Sequence, residues 1–257
     1  MHVALRLAAG LLPLALGGCA LYAPTVPSTP LLRKGQVQVS AGFRGLTALE
    51  GGAAWVPAHH LLLSAEGAYQ SSETSTTTNS QTTTYHDYHR QLSLGAGYYH
   101  APTATSSWYL AALGGVGWAR TTLHGIDFTI ASPFLPLPLP YLSGYYEASY
   151  RRYYAQVYAA QPLSDRTTAG FSLRSTWVDY ATLTLDGQPF APTTHFFVEP
   201  SMFIKVGDGA LQGQGTLGLS LPWYREPDNP LNKRTSPVSS LISLSLIFRP
   251  DLLRHRD

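Results

Sequence analysis

Cysteine is almost absent from this chain: the 257 residues hold one, Cys19, so no intrachain disulfide staples the fold. Charge is scarce as well. Asp, Glu, Lys and Arg supply 12% of the residues, about half of the roughly 25% usual in soluble domains. The apolar share of 44% is ordinary, so Tyr, Gly, Ser and Thr stand where charge would be. After Cys19 there is no run of roughly 18 apolar residues, which excludes a spanning helix. A chain without such a helix crosses a membrane only as a closed barrel, because lipid leaves no other way to pair every backbone N–H and C=O. Net charge is +2, and basic residues gather only in pairs such as Arg151-Arg152 and Lys233-Arg234, so nothing points to nucleic acid.

What is present begins at the amino end. Arg6 and the terminal amine precede an apolar run from Leu7 to Leu16, then Gly17 and Gly18, then Cys19. A positive start, a short apolar stretch and small residues describe a secretory leader too short to span a bilayer. Leu16-Gly17-Gly18-Cys19 resembles a bacterial lipobox. That resemblance implies cleavage before Cys19 and acylation of the cysteine, with each buried methylene adding about 0.8 kcal/mol of membrane affinity. The expected organisation is a lipoprotein signal peptide over 1–18, a lipid-anchored Pro-containing tether over 19–34, a β-barrel domain over 35–249 and a short tail over 250–257.

The rest of the chain reads as strands. Val37, Val39, Ala41 and Phe43 alternate with Gln36, Gln38, Ser40 and Gly42, and Leu92, Leu94, Ala96 and Tyr98 alternate with Gln91, Ser93, Gly95 and Gly97. Leu217, Leu219 and Leu221, then Ile242, Leu244, Leu246 and Phe248, repeat the pattern. A period of two with one aliphatic face and one small polar face is a strand signal. Ten strands are expected: Val37–Phe43, Ala48–Val56, Leu61–Gln70, Arg90–Tyr99, Trp108–Ala119, Tyr145–Ala159, Thr168–Tyr180, His195–Lys205, Gln212–Leu221 and Ser240–Phe248. Short and long connectors alternate from the second onward, as short periplasmic turns and longer outside loops would give. The fold class is therefore all-β, an antiparallel up-and-down transmembrane barrel of about ten strands, with eight or twelve as alternatives. This arrangement starts the first strand on the periplasmic side, beside the lipid anchor.

Trp108 and Trp118 lie ten residues apart on one strand face, roughly 25 Å along the membrane normal at about 3.3 Å per residue and a tilt near 40°. Trp55, Tyr69, Trp177, Phe196 and Phe248 sit near other strand ends, and the seven together are the candidate aromatic girdle. Parity places Glu50, Glu66, Arg174, Glu199 and Lys205 inside, where charges must pair, so they are expected to plug the lumen as an ion-pair network. The alternative is a narrow polar pore or small-ligand pocket. Arg151-Arg152 and Pro200 strain this scheme, and a bulge near each is the expected remedy.

The whole mature chain resembles the small lipid-anchored bacterial outer-membrane β-barrel proteins, in which a lipobox cysteine leads through a Pro-containing tether, here Tyr22-Ala23-Pro24-Thr25-Val26-Pro27 with Pro30 beyond, into antiparallel strands. The resemblance implies an outer-membrane location and, as partner, membrane lipid through acylated Cys19 and the barrel exterior. It also implies a terminal aromatic read by assembly machinery; Phe248 resembles it, yet Arg249 to Asp257 follows. A soluble periplasmic barrel held by the lipid is the rival.

Catalysis has little to stand on. His86 and His89 are weak metal candidates, because imidazoles three apart on a strand point to opposite faces. There is no Gly-rich phosphate loop, Gly-x-Ser-x-Gly elbow or Cys-His pair, so no enzyme, metal or cofactor is expected. Recognition, if any, belongs to the long loops. Ser71 to Thr84 reads as a solvated mobile loop, and Phe134 to Pro140, Leu-Pro-rich and apolar, as a docking segment or lid for a surface partner.

Overall fold

The computed structural model describes residues 21–253 except 46–47, 79–80, 104–105, 125–144, 191–193 and 225–237. Eleven strands form one antiparallel sheet: β1 Val37–Arg44, β2 Ala48–Ala58, β3 Leu61–Thr78, β4 Gln81–His100, β5 Tyr109–His124, β6 Tyr145–Ser164, β7 Thr167–Leu185, β8 Gln188–Pro189, β9 Thr194–Val206, β10 Leu211–Tyr224 and β11 Ser239–Phe248. Each long strand pairs with its neighbours in sequence, β7 pairs with β6 and β9, and β11 returns to β1, so the sheet closes. The two-residue β8 only folds back on the end of β7, which leaves ten staves. Closure removes every sheet edge that lipid would leave unpaired.

Side chains alternate across this wall. Outward residues are Val39, Phe43, Leu92, Leu94, Val157, Phe171, Ile204, Leu244 and others of their kind, whereas Glu66, Ser93, Arg152, Gln156, Ser172, Arg174 and Glu199 point inward and are buried. On β5 the Trp face is the outer one, since Leu110 is exposed and Ala111 and Leu113 are buried.

Several strands run further than their apolar pattern suggested. Ser71 to Thr78 pairs in register with Gln81 to Tyr88, so the segment expected to be a solvated loop is a β-ribbon. Thr-rich sequence explains it: a branched Cβ suits a pleated strand whether or not the strand is greasy. β7 likewise continues to Leu185 and turns at Asp186-Gly187, both with positive φ (52° and 76°), which matches the Asp-Gly signature of a type I′ hairpin.

Of the two expected bulges, the one near Arg151-Arg152 is present and the one near Pro200 is not. Arg151 faces out and Arg152 in by plain alternation, with β6 and β7 in register from Tyr150 to Pro162; the register shift lies between Ser149 and Tyr150, where Ala181 is the extra residue. Pro200 stays in register with Leu173. On its other side the β9–β10 pairs jump from Ser201–Gly218 to Val198–Leu221 without a shift, so proline's missing N–H opens a gap in the ladder and no bulge is needed.

Two apolar clusters close the interior at its ends. Tyr146, Tyr150, Val178, Tyr180, Leu183 and Phe197 lie at the long-loop end, and Val56, Leu62, Tyr99, Tyr109, Tyr158 and Phe203 at the short-turn end where β1 begins. After β11 the chain makes one 3-10 turn, Pro250–Leu253, with the Arg249 N–H donating to the Ala210 carbonyl and its guanidinium paired to Asp251 at 2.8 Å.

Candidate functional site: a lumen threaded by residues 21–34

Leu21 and Tyr22 belong to the cluster at the long-loop end, and Leu32 to the cluster at the short-turn end. The stretch expected to be an external tether therefore runs through the barrel from mouth to mouth. Ten residues at about 3.1 Å each reach roughly 30 Å, the thickness of a bilayer's apolar core. Pro24, Pro27 and Pro30 recur every third residue, the period of an extended polyproline helix, and each removes an N–H that the interior would have to pair.

The remaining backbone groups meet the wall. The N–H of Val26 donates to Glu50 at 3.2 Å and that of Ser28 to Glu66 at 3.0 Å. Gln156 donates to the Ser28 carbonyl (2.8 Å), Tyr158 to that of Pro30 (2.6 Å), and Lys205 to that of Thr29. The Tyr109 hydroxyl accepts from the Leu32 N–H and donates to its carbonyl. Near the long-loop mouth the Tyr22 ring lies between Phe197 (centroids 4.3 Å apart) and Tyr150 (6.0 Å), while its hydroxyl donates to Glu199.

The five charges that parity placed inside are all in the lumen, but they do not form one network. Glu66 takes two arginines, Arg174 at 2.6 Å and Arg152 at 3.2 Å, both guanidiniums being fully buried. Glu50 pairs with Arg44 at 2.7 Å. Among the described residues Glu199 accepts from three hydroxyls, those of Tyr22, Thr176 and Ser220, at 2.9 to 3.0 Å. Among the described residues Lys205 meets no carboxylate; a backbone carbonyl of the threaded segment is its partner. The segment thus completes what the side chains leave open. Sequence reasoning passed over Arg152, although its inward face also carries Tyr150, Tyr154, Gln156 and Tyr158, a signal that strand parity alone supplies.

The Arg174 guanidinium lies over the Tyr154 ring, 4.6 Å from its centroid. That ring fits only because Gly95 and Gly115 face it: a Cβ at either position would collide with the Tyr154 phenol. Gly115→Val is expected to lower stability by about 1–3 kcal/mol through overpacking, read as a lower temperature for loss of the compact gel form, whereas Gly213→Ala, where nothing lies within 4 Å, changes it little.

The filling is lopsided. Tyr and Arg crowd the β4 to β9 side, while β1, β2, β10 and β11 present Gln38, Ser40, Gly52, Gln214 and Ser243, leaving a small cavity of about 60 Å³, partly open to solvent, beside residues 25–29.

Trp55, Tyr69, Trp108, Trp118, Trp177 and Phe248 are exposed and Phe196 is half-buried, all on the outer face, with Trp177 and Phe196 paired across strands at 6.2 Å. His86 points outward, 3.1 Å from Glu73, and His89 inward, 2.7 Å from the Thr121 hydroxyl. Asp87 accepts from the backbone and ring of His124 at 2.7 and 2.8 Å. Among the described residues no three His, Cys, Asp or Glu gather in a metal-binding group. Cys19 and Phe134 to Pro140 lie outside the described residues.

Fold and lumen together define a closed antiparallel barrel with an apolar outside and a polar inside occupied by its own amino-terminal segment. No protein-family model matches the chain, and no curated protein does. Among solved structures it is similar to an outer membrane channel from Pseudomonas putida F1, at 12% identity and a TM-score of 0.37, over 89% of this chain and 100% of that one.

Proposed function

We propose that the chain is an outer-membrane β-barrel lipoprotein with a structural or surface-interaction role, its lumen sealed by residues 21–34. The observation that carries this is the outward apolar band of ten closed staves, with the outward charges Arg90, Arg120, Arg151 and Asp179 level with Trp118 or beyond it toward the long loops. A soluble barrel would bear charges there; a barrel in lipid cannot. By the usual rule the short-turn end is periplasmic and the long loops face outward, where a surface partner would bind. The reading assigns no catalytic step and no cofactor.

Acylation at Cys19 gains a direction from the threaded segment. Cys19 precedes Leu21 by two residues, at most about 7 Å of chain, and Leu21 lies at the long-loop mouth. On this reading an acyl group on Cys19 would reach the membrane at that mouth, whereas the sequence pattern alone puts it beside the start of β1. Radiolabelled palmitate is expected to mark the protein in the outer-membrane fraction, with unboiled material migrating faster than boiled. Cys19→Ser is expected to lose the label and keep the heat-dependent shift. No shift, together with release from membranes in Cys19→Ser, would instead support a soluble barrel held by lipid alone.

Leu94 is exposed on the outer face midway along the paired part of β4. Leu94→Arg is expected to cost about 2–4 kcal/mol in lipid vesicles, as a cation near a bilayer midplane does; an unchanged unfolding midpoint would count against the membrane reading. The space beside residues 25–29 supports a second reading, a narrow polar conduit along the Ser and Gly wall.

A further inference from the structure

The wall holds residues 21–34 largely by atoms that every peptide has. Carboxylates of Glu50 and Glu66 take backbone N–H groups, and Lys205 and Tyr158 donate to backbone carbonyls. Side-chain selection is confined to the aromatic slot for Tyr22 at one mouth, the Thr25 hydroxyl, which accepts from Arg152 at 2.7 Å and Arg174 at 3.4 Å, and the apolar pocket for Leu32 at the other mouth. Between them, proline at every third position presets an extended form and so reduces the ordering entropy of binding.

The link to the barrel is slight. Arg33, Lys34 and Gly35 are exposed, Gly35 has a φ of 80°, and the turn adds the bonds from the Gly35 N–H to the Val56 carbonyl, from the Gln36 N–H to the Arg33 carbonyl and from the Arg33 N–H to the Gln36 side chain. A break there removes no lumen contact.

We infer that the lumen is a binding site for an extended, proline-spaced peptide about a dozen residues long, with residues 21–34 as a ligand the chain carries itself. An equivalent peptide supplied in trans takes the same place. The inference rests on the reading that this segment seals the barrel. Covalent attachment holds the resident ligand at a high effective concentration, so exchange becomes measurable only once the link is cut.

The test uses the full chain with a site-specific protease sequence inserted between Lys34 and Gly35, purified in detergent in its heat-modifiable form. A photoreactive phenylalanine analogue at position 22 first reports on the uncut protein: cross-linking to the tryptic peptide that holds Phe197 shows the segment in the lumen, and its absence overturns the sealing reading itself. After cutting, the released fragment is expected to stay with the barrel through gel filtration. A synthetic peptide of residues 21–34 carrying the same photoreactive group is expected to displace it saturably and cross-link to the same Phe197 peptide. A version N-methylated at Val26 and Ser28, which cannot donate to the two carboxylates, is expected to compete at least tenfold more weakly. If the uncut protein cross-links but the cut protein neither takes up the peptide nor distinguishes it from a scrambled sequence, the peptide-site inference fails while the sealing reading stands.

Discussion

Glu66→Leu is expected to destabilise the barrel by about 3–5 kcal/mol, the range for breaking a buried ion pair from one side. Glu66 is the only carboxylate among the described residues that pairs with Arg152 or Arg174, and both guanidiniums have no exposed side-chain surface. Removing it leaves two like charges desolvated next to each other, and also strips an acceptor from the Ser28 N–H. Arg174→Leu should cost less, because Glu66 keeps Arg152. Glu199→Gln should cost less again, because its three partners are hydroxyls: the amide oxygen can accept from Tyr22 and Ser220, which share one carboxylate oxygen, and the Thr176 hydroxyl can turn to accept from the amide NH2. Urea midpoints of refolded protein in vesicles rank the three; if Glu66→Leu proved no worse than Glu199→Gln, water rather than Glu66 would be neutralising the arginines.

Deleting residues 21–34 is expected to turn a sealed barrel into a conducting one. The deletion takes away the only chain that crosses the lumen among the described residues, along with the ends of both apolar clusters, Tyr22 and Leu32. What remains is a wall of Glu66, Arg152, Arg174, Glu199, Lys205, Ser and Gly side chains that water would hydrate. In planar bilayers the full chain should show little or no current, and the deleted form, once shown to be heat-modifiable, discrete openings. Equal currents from both would mean that the segment is no seal, and would favour the conduit beside it.

Most of the architecture was legible from the amino-acid sequence. The outward Val, Leu and Ile of β1, β4, β10 and β11 impose their own register, since a slip of one residue would turn an aliphatic face into the lumen. The end of β3 beyond the apolar band was not legible, because Ser71 to Thr78 lacks the hydrophobic alternation that marked the rest and extends on propensity alone. Ala181 to Leu185 does alternate, Leu183 and Leu185 against Thr182 and Thr184, but the extra residue Ala181 breaks its phase with the strand before it, and only the Asp186-Gly187 turn marks where the strand ends. The lumen was half legible: parity placed Glu50, Glu66, Arg174, Glu199 and Lys205 inside, but it did not say which carboxylate meets which cation. That depends on lateral neighbours, as with Arg152 and Arg174 flanking Glu66 from β6 and β7.

The threaded segment was missed for a physical reason. Pro24, Pro27 and Pro30 among Thr, Ser and Ala give the composition of a semi-rigid linker, and a linker in water and one in a polar lumen need the same residues. One clue did exist: the inward faces of β1, β2 and β11 include Ser40, Gly42, Gly52 and Ser243, small side chains for the wall of a closed barrel of ten staves. A small inner face without an occupant implies water or a guest.

Amide hydrogen exchange of the full chain in detergent micelles, read on the peptic fragment covering residues 21–34, tests the central claim most directly. The account predicts that the Val26, Ser28 and Leu32 amides are protected to a degree comparable with β6 and β9, because each is bonded to the lumen wall. Exchange at the rate of a free peptide, with β6 and β9 still protected, would place the segment outside the barrel and contradict it.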